Sequence, residues 1–317
     1  MNKSPKVSVV IPYYSAREGD LERAVRSVCN QTFQDFEILI VDDCSPLCAQ
    51  AELNFLDDIR ITIIKNKKNM NGAYSRNKGI KKAKGEYIAL LDSDDFYLPD
   101  HLSNCIKNIS DFDFVYSNII YNLNGRMEYR ETSDVNKYSI EKICNILMDS
   151  PPQTNSFFFK KSCFPIVQFD ETLKRHQDYQ FFVDFCRSGF SISKVNSFTT
   201  IYNIRSRKRE IDIESVLYFW AQNKSFVDSS KFINFMVYIA IVSMRQKKNT
   251  YSNLAAISDL VNNKYFDKII SIRNEFLAYL FLHIYLYLVL EPGKIPKRIA
   301  RVASSISFKI IKYHRFN

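Results

Sequence analysis

The strongest constraint in this sequence is a series of short apolar runs, two of them stopping at acids, that alternate with helical stretches. Val7–Pro12 reads VSVVIP, a buried strand with no polar break beyond Ser8. Glu37–Val41 is a second such run and ends in Asp42-Asp43; Ile59–Ile64 is a third; Tyr87–Leu91 is a fourth and ends in Asp92; Phe112–Tyr116 is a fifth. Between them, Asp20 opens a helix in which Leu21, Ala24, Val25 and Val28 recur at helical spacing, and Asn71–Ala83 forms another with small residues and a Lys-rich outer face. Strands alternating with helices at this interval predict an α/β fold, a mostly parallel sheet with helices on both faces.

Such sheets bind ligands beyond the carboxyl ends of their strands. Here those ends carry Tyr13-Tyr14-Ser15, Asp42-Asp43 and Asp92-Ser93-Asp94-Asp95. A single Asp after a strand is ordinary loop or helix-cap chemistry. Five acids on one rim repel one another, and a cation is the simplest compensation. Asp92 and Asp94 stand two apart, a spacing that lets both carboxylates grip one divalent ion together with diphosphate oxygens.

The second half is more polar at first. Asn118–Lys137 contains a turn at Gly125 and reads as a hairpin or edge loop. Pro151-Pro152 is a break, and Asn155–Lys160 a further strand. Asp178–Arg187 places Phe181, Phe182 and Phe185 at helical spacing. Ser191–Val195 and Thr199–Ile204 read as two closing strands, and from Ile213 the pattern changes to long aromatic-rich helices. We therefore expect an α/β domain over 1–210, its halves meeting near 117/118, and a helical region over 211–317.

The 317 residues suffice for one large domain and a smaller appendage. The net charge of +10 suits nucleic acid, an anionic membrane surface or phosphorylated substrates. Seven irregularly spaced cysteines complete no zinc pattern and read as reduced thiols. Met1–Lys6 is short and polar, with no apolar leader, and the longest apolar stretch, Phe276–Leu290, is shorter than the roughly 20 residues that span a bilayer. A cytoplasmic protein is expected. Beyond Glu291-Pro292-Gly293, Lys and Arg alternate with Ile, Val and Phe from Lys294 to Arg315. This basic amphipathic pattern suits the cytoplasmic face of an inner membrane, or a bundle packed on the α/β domain.

Four segments together resemble family-2 glycosyltransferases with the GT-A fold: Val7–Tyr14, Gln31–Ser45, Ala73–Gly79 with Lys84–Asp95, and Phe169–Leu173 with Gln177-Asp178-Tyr179. They cover roughly the first 205 residues in the order the family shows. The resemblance implies a Mn²⁺- or Mg²⁺-dependent transfer of sugar, with inversion, from a nucleotide-sugar to a saccharide or polyprenyl-diphosphate-linked acceptor, as in assembly of O-antigen or capsule. UDP is the favoured nucleotide. Pro12 and Tyr13 would border the base, and Asp42 and Asp43 would accept from base or ribose. Arg76 would sit near the base or diphosphate, Asp92 and Ser93 would touch the nucleotide, and Asp92 with Asp94 would hold the metal. Asp178 would be the general base.

The sequence departs from the family at two places. Gln177 stands where a Glu is frequent. Where a His often follows the Thr199–Tyr202 strand, Asn203-Ile204-Arg205 appears, and Arg205 can meet a diphosphate but cannot ligate a metal. A nucleotide-sugar-binding relative with a protein or lipid acceptor is a second reading. A basic nucleic-acid module is remote, because no recognised module appears and the acidic rim repels phosphates. An oxidoreductase would need Gly-x-Gly-x-x-Gly where Tyr13-Tyr14-Ser15-Ala16 stands.

Overall fold

The computed structural model describes residues 4–15, 17–54, 56–204 and 210–262. The first half winds β1 (Val7–Tyr13), α1 (Asp20–Cys29), β2 (Phe36–Asp42), α2 (Ala49–Glu52), β3 (Ile61–Lys65), α3 (Gly72–Lys82) and β4 (Tyr87–Leu90). These four strands run parallel in the order β3-β2-β1-β4. Strand alternation separates the two faces. Val7, Val9 and Ile11 join the core cluster that includes Leu21, Ala24, Val25 and Val28 of α1. Val10 faces the other way, toward α3. There Gly79 sits so close that a Cβ would lie 2.4 Å from Val10 Cγ1 and 3.2 Å from Val41 Cγ2. The small residues of α3 are thus what lets the helix lie down on the sheet.

β5 (Phe96–Tyr97) and α4 (His101–Asn108) lead to β6 (Phe114–Leu123), which pairs with β7 (Arg126–Arg130). Then come α5 (Asn145–Asp149), β8 (Phe158–Lys160), α6 (Gln177–Arg187) and β9 (Ile192–Ile204). The sheet continues β4-β8-β6-β9-β5, and β8 runs antiparallel to both its neighbours. The fold is the mixed α/β, mostly parallel arrangement with helices on both faces.

Several boundaries differ from the sequence reading. The third strand begins at Ile61, because Ile59 is 98% exposed. The fifth runs on through Asn118–Leu123, so the 117/118 line falls inside β6, and the polar stretch is a hairpin. Its Asn124-Gly125 turn has positive φ at both residues, the geometry that matches the twist of flanking strands. The two closing strands are one, β9, with a register irregularity against β6 beyond Val195. The strand expected from Asn155 starts at Phe158, after a 3₁₀ turn over Thr154–Ser156. β5 is only two residues long and carries no periodicity to read.

Aromatic rings form the core of this second half. Phe114 lies 5.1 Å from Phe157 and 4.7 Å from Phe185, Tyr116 meets Phe182 edge-on at 5.4 Å, and Phe169 stacks on Phe181 at 4.0 Å. The apolar stripe of α6 is buried against β6 and β8 in this way. The seven cysteines are free thiols.

The chain divides between Phe219 and Trp220, inside α7 (Ile213–Asn223), with Ser225–Val227 belonging to the first unit. In the second unit, α8 (Ser229–Gln246) and α9 (Thr250–Val261) are joined by an Asn253 Nδ2 to Ser243 Oγ bond of 3.0 Å, and Trp220 packs on Phe232. Among the described residues no helix is long and apolar enough to cross a membrane. Phe276–Leu290 and the basic segment from Lys294 lie outside the described residues.

Gly79→Ala should destabilise the protein by about 1–3 kcal/mol, since the added methyl must displace core valines. A lower urea midpoint at unchanged slope is the expected reading.

Candidate active site

Asp92–Asp95 leaves the end of β4 as a tight turn, with the Asp95 N–H donating to the Asp92 carbonyl at 3.1 Å. Leu91 N–H still bonds Val10 O at 3.1 Å, so the turn begins immediately where the sheet ends. Asp95 is 2% exposed and both its oxygens are used: Oδ2 accepts from Asn155 Nδ2 at 2.5 Å, Oδ1 from Asn203 N–H at 2.7 Å. Asp92 N–H donates to Asn155 Oδ1 at 2.7 Å. The acid at 95 therefore anchors the turn, while Asp92 and Asp94 remain half-buried.

α3 ties this turn to the second half of the domain. Arg76, 7% exposed, donates through Nη2 to Asp92 Oδ1 and through Nη1 to Gln177 Oε1 at 2.9 Å. A planar fork with two donors on one side is what a guanidinium supplies and an ammonium does not. The fit is close: a Cβ at Gly72 would lie 3.0 Å from Arg76 Nη1 and 3.4 Å from Gln177 Oε1. The next residue, Asn77, exchanges two bonds with the Phe169 backbone, at 2.8 and 3.0 Å. Asn71 caps α3 through Tyr74 N–H and donates to Glu171 O at 2.7 Å. Arg76, Asn77 and Asn71 thus bring the 169–178 segment to the acidic rim.

That segment opens α6 with Asp178 in its first turn. Desolvation raises the Asp178 carboxyl above its ordinary range, opposed by the positive charges of Arg175 and Arg76. His176, beside it, is buried and stacked on Tyr179 at 4.6 Å; burial pushes its pKa down to about 3, so it is a neutral packing residue. Tyr202 lies within electrostatic reach of both acid groups. Its hydroxyl is raised by desolvation first, then by the charges of Asp95, Asp92, Asp94 and Asp178. Its ring meets Tyr121 edge-on at 5.6 Å.

The other rim residues are arranged as follows. Asp43 is buried, and its carboxylate accepts from Asn66 Nδ2 at 2.7 Å, Met70 N–H at 2.8 Å and Asn71 N–H at 2.9 Å. It shapes the loop that leads into α3. Asp42 Oδ1 caps the following turn at Ser45 N–H, 2.8 Å. Pro12 is half-buried at the end of β1 and Ser93 is buried. The Tyr13 ring is enclosed in the core and its hydroxyl donates to Glu52; what Tyr13 offers the rim is its carbonyl, which accepts Asp43 N–H at 2.9 Å. Arg205 lies outside the described residues. Asn155 and Tyr202 were not singled out from the sequence, and Asn203 was named there only as a departure from the family. Their roles depend on strand register and long-range approach, which leave no local signal.

Among the described residues no three His, Cys, Asp or Glu side chains gather as a metal cluster. Two carboxylates on one turn nevertheless suit a hard cation that keeps waters and takes the rest of its shell from substrate phosphates. Desolvation raises the Asp95 carboxyl well above the ordinary range, and the charges of Asp94 and Asp92 raise it further. The donor set fits Mg²⁺ or Mn²⁺.

Comparison with known proteins gives the family and the fold. The putative colanic acid biosynthesis glycosyl transferase WcaA of Escherichia coli is 27% identical over 287 residues, covering 83% of this chain and 97% of its own. The Escherichia coli UDP-Glc:alpha-D-GlcNAc-diphosphoundecaprenol beta-1,3-glucosyltransferase WfaP is 28% identical over 204 residues, 63% of this chain and 78% of its own. Among solved structures, S. aureus TarS in complex with UDP-GlcNAc superposes with a TM-score of 0.56 at 17% identity, covering 93% of this chain and 82% of that one. The mannosyltransferase PcManGT of Pyrobaculum calidifontis, in complex with GDP-Man and Mn²⁺, does so with a TM-score of 0.51 at 13% identity, covering 99% and 83%. These are GT-A folds. The sequence model described as "Glycosyl transferase family 2" matches residues 8–168, and the chain belongs to that family.

Proposed function

We propose that this chain transfers a hexose or N-acetylhexosamine from a UDP-sugar to a saccharide or polyprenyl-diphosphate-linked saccharide, with inversion, in assembly of a bacterial surface polysaccharide. The observation that carries this reading is the Arg76 fork. It makes one site of an acidic turn suited to a metal diphosphate and a helix whose first turn holds a raised carboxylate. WcaA and WfaP, whose names place them in polysaccharide and lipid-linked sugar chemistry, support the pathway. TarS with UDP-GlcNAc supports the donor.

Asp92 and Asp94 would hold Mn²⁺ or Mg²⁺, which neutralises charge gathering on the departing nucleoside diphosphate. Arg76 fixes the carboxylate of Asp92 and adds a cation beside the leaving group. Asp43 Oδ2 and Asp42 keep acceptor capacity for a uracil N–H or a ribose hydroxyl. Asp178 accepts the proton of the acceptor hydroxyl as that oxygen bonds to the anomeric carbon and the bond to the diphosphate breaks. A single displacement of this kind inverts the anomeric centre. The raised carboxyl makes Asp178 a stronger base than a solvated Asp, and Gln177, being uncharged, adds no repulsion beside it. Attachment to an anionic inner-membrane surface through the basic segment from Lys294 completes the proposal, with no nucleic acid partner.

Asp94→Ala should abolish turnover and metal-dependent donor binding, and normal turnover would remove the turn from the site. Asp178→Asn should keep donor binding and lose at least a hundredfold in transfer rate. Asp178 works only when deprotonated, so the rate should fall with falling pH through a value above the ordinary Asp range. Arg175→Met removes a charge that lowers it and should move that acidic limb to higher pH. A chain ending at residue 293 should no longer sediment with anionic vesicles that the full chain follows; continued sedimentation would refute the membrane contact.

A further inference from the structure

The Asp94 carbonyl is held from two sides. Arg23 Nη2, on α1, donates to it at 2.9 Å, and Asn203 Nδ2, on β9, donates at 2.5 Å. Neither donor is loose. Arg23 Nη2 also bonds Asp20 Oδ1 at 2.9 Å, and its guanidinium lies over the Phe96 ring at 5.8 Å. Asn203 Oδ1 accepts from Asn122 Nδ2 at 2.8 Å, and its own N–H is bonded to the buried Asp95. The peptide plane after Asp94 is therefore set by a helix and a strand more than 70 residues away on either side in sequence, and with it the direction in which the Asp94 side chain leaves the turn.

We propose that Arg23 and Asn203 are positioning residues for cation binding. By clamping the Asp94 carbonyl they hold its carboxylate where the metal diphosphate is taken up. In this chain the amide of Asn203 contributes to metal affinity through the backbone, not as a ligand. This rests on the proposed reading of the turn as a metal-diphosphate site. Groups outside the coordination shell that orient a ligand are commonly worth 10- to 100-fold in metal affinity.

The two clamps separate bracing from electrostatics. Loss of a positive charge beside an acidic turn would by itself tighten cation binding, whereas loss of a brace loosens it. Mn²⁺ titration of the full chain in the presence of UDP, followed by calorimetry, tests the point. Arg23→Met and Asn203→Ala should each weaken Mn²⁺ binding about tenfold or more, and excess Mn²⁺ should restore UDP binding. Arg23→Lys, which keeps a donor, should stay within about threefold of the parent, and circular dichroism should show the fold retained in all. Parent affinity in both variants, or tighter binding in Arg23→Met, would overturn the positioning role alone. UDP binding by the unaltered chain that is indifferent to Mn²⁺ would overturn the metal-diphosphate reading, and this inference with it.

Discussion

The site depends on one guanidinium. Arg76 is almost fully enclosed, and its two terminal nitrogens point at a carboxylate on one side and an amide oxygen on the other. Asp92 belongs to the β4 turn and Gln177 to the start of α6, so the fork spans the two halves of the domain. Buried ion pairs add little net stability, because desolvation consumes most of the attraction. What they do set is geometry. With Arg76 fixed, the acidic turn and the Asp178 helix have one relative placement, and a reaction needing a leaving group and a base at a defined separation has somewhere to occur.

The rest of the architecture holds that fork in place. Gly79 lets α3 settle on β1 and β2, and Asn71 and Asn77 fasten the 169–171 backbone to the same helix. Below, the interleaved rings of Phe114, Phe157, Phe181 and Phe185 give α6 a rigid bed. The acids have divided duties. Asp95 is consumed as a hydrogen-bond hub that anchors the turn and Asp43 shapes the loop into α3, whereas Asp92, Asp94 and Asp178 carry the proposed chemistry.

Much of this was legible in the sequence. Short apolar runs gave the first four strands, the two that end in acids gave the rim, and the spacing of Asp92, Asp94 and Asp178 within segments resembling a known family gave the proposed roles. Other features were hidden for physical reasons. β8 runs antiparallel, yet three residues between turns cannot declare a direction. Tyr13 looks like a rim residue from its place after a strand, but strand alternation turns its ring into the core. Asn155 and Asn203 fall in segments that read as strands, with nothing local to mark them as partners of the turn; only the register of β9 on β6 brings Asn203 to it. Gln177 read as a departure from the family, and its amide oxygen still serves Arg76 as an acceptor.

The central claim is that the Asp92–Asp95 turn takes up a nucleotide-sugar through a divalent cation. Calorimetric titration of UDP-, GDP- and dTDP-sugars into the full chain, with Mn²⁺ and then with the metal chelated, tests it most directly. The account predicts binding of a UDP-sugar with Mn²⁺ that disappears on chelation. Equal binding of a nucleotide-sugar in both conditions, or binding of none of the three classes, would contradict it.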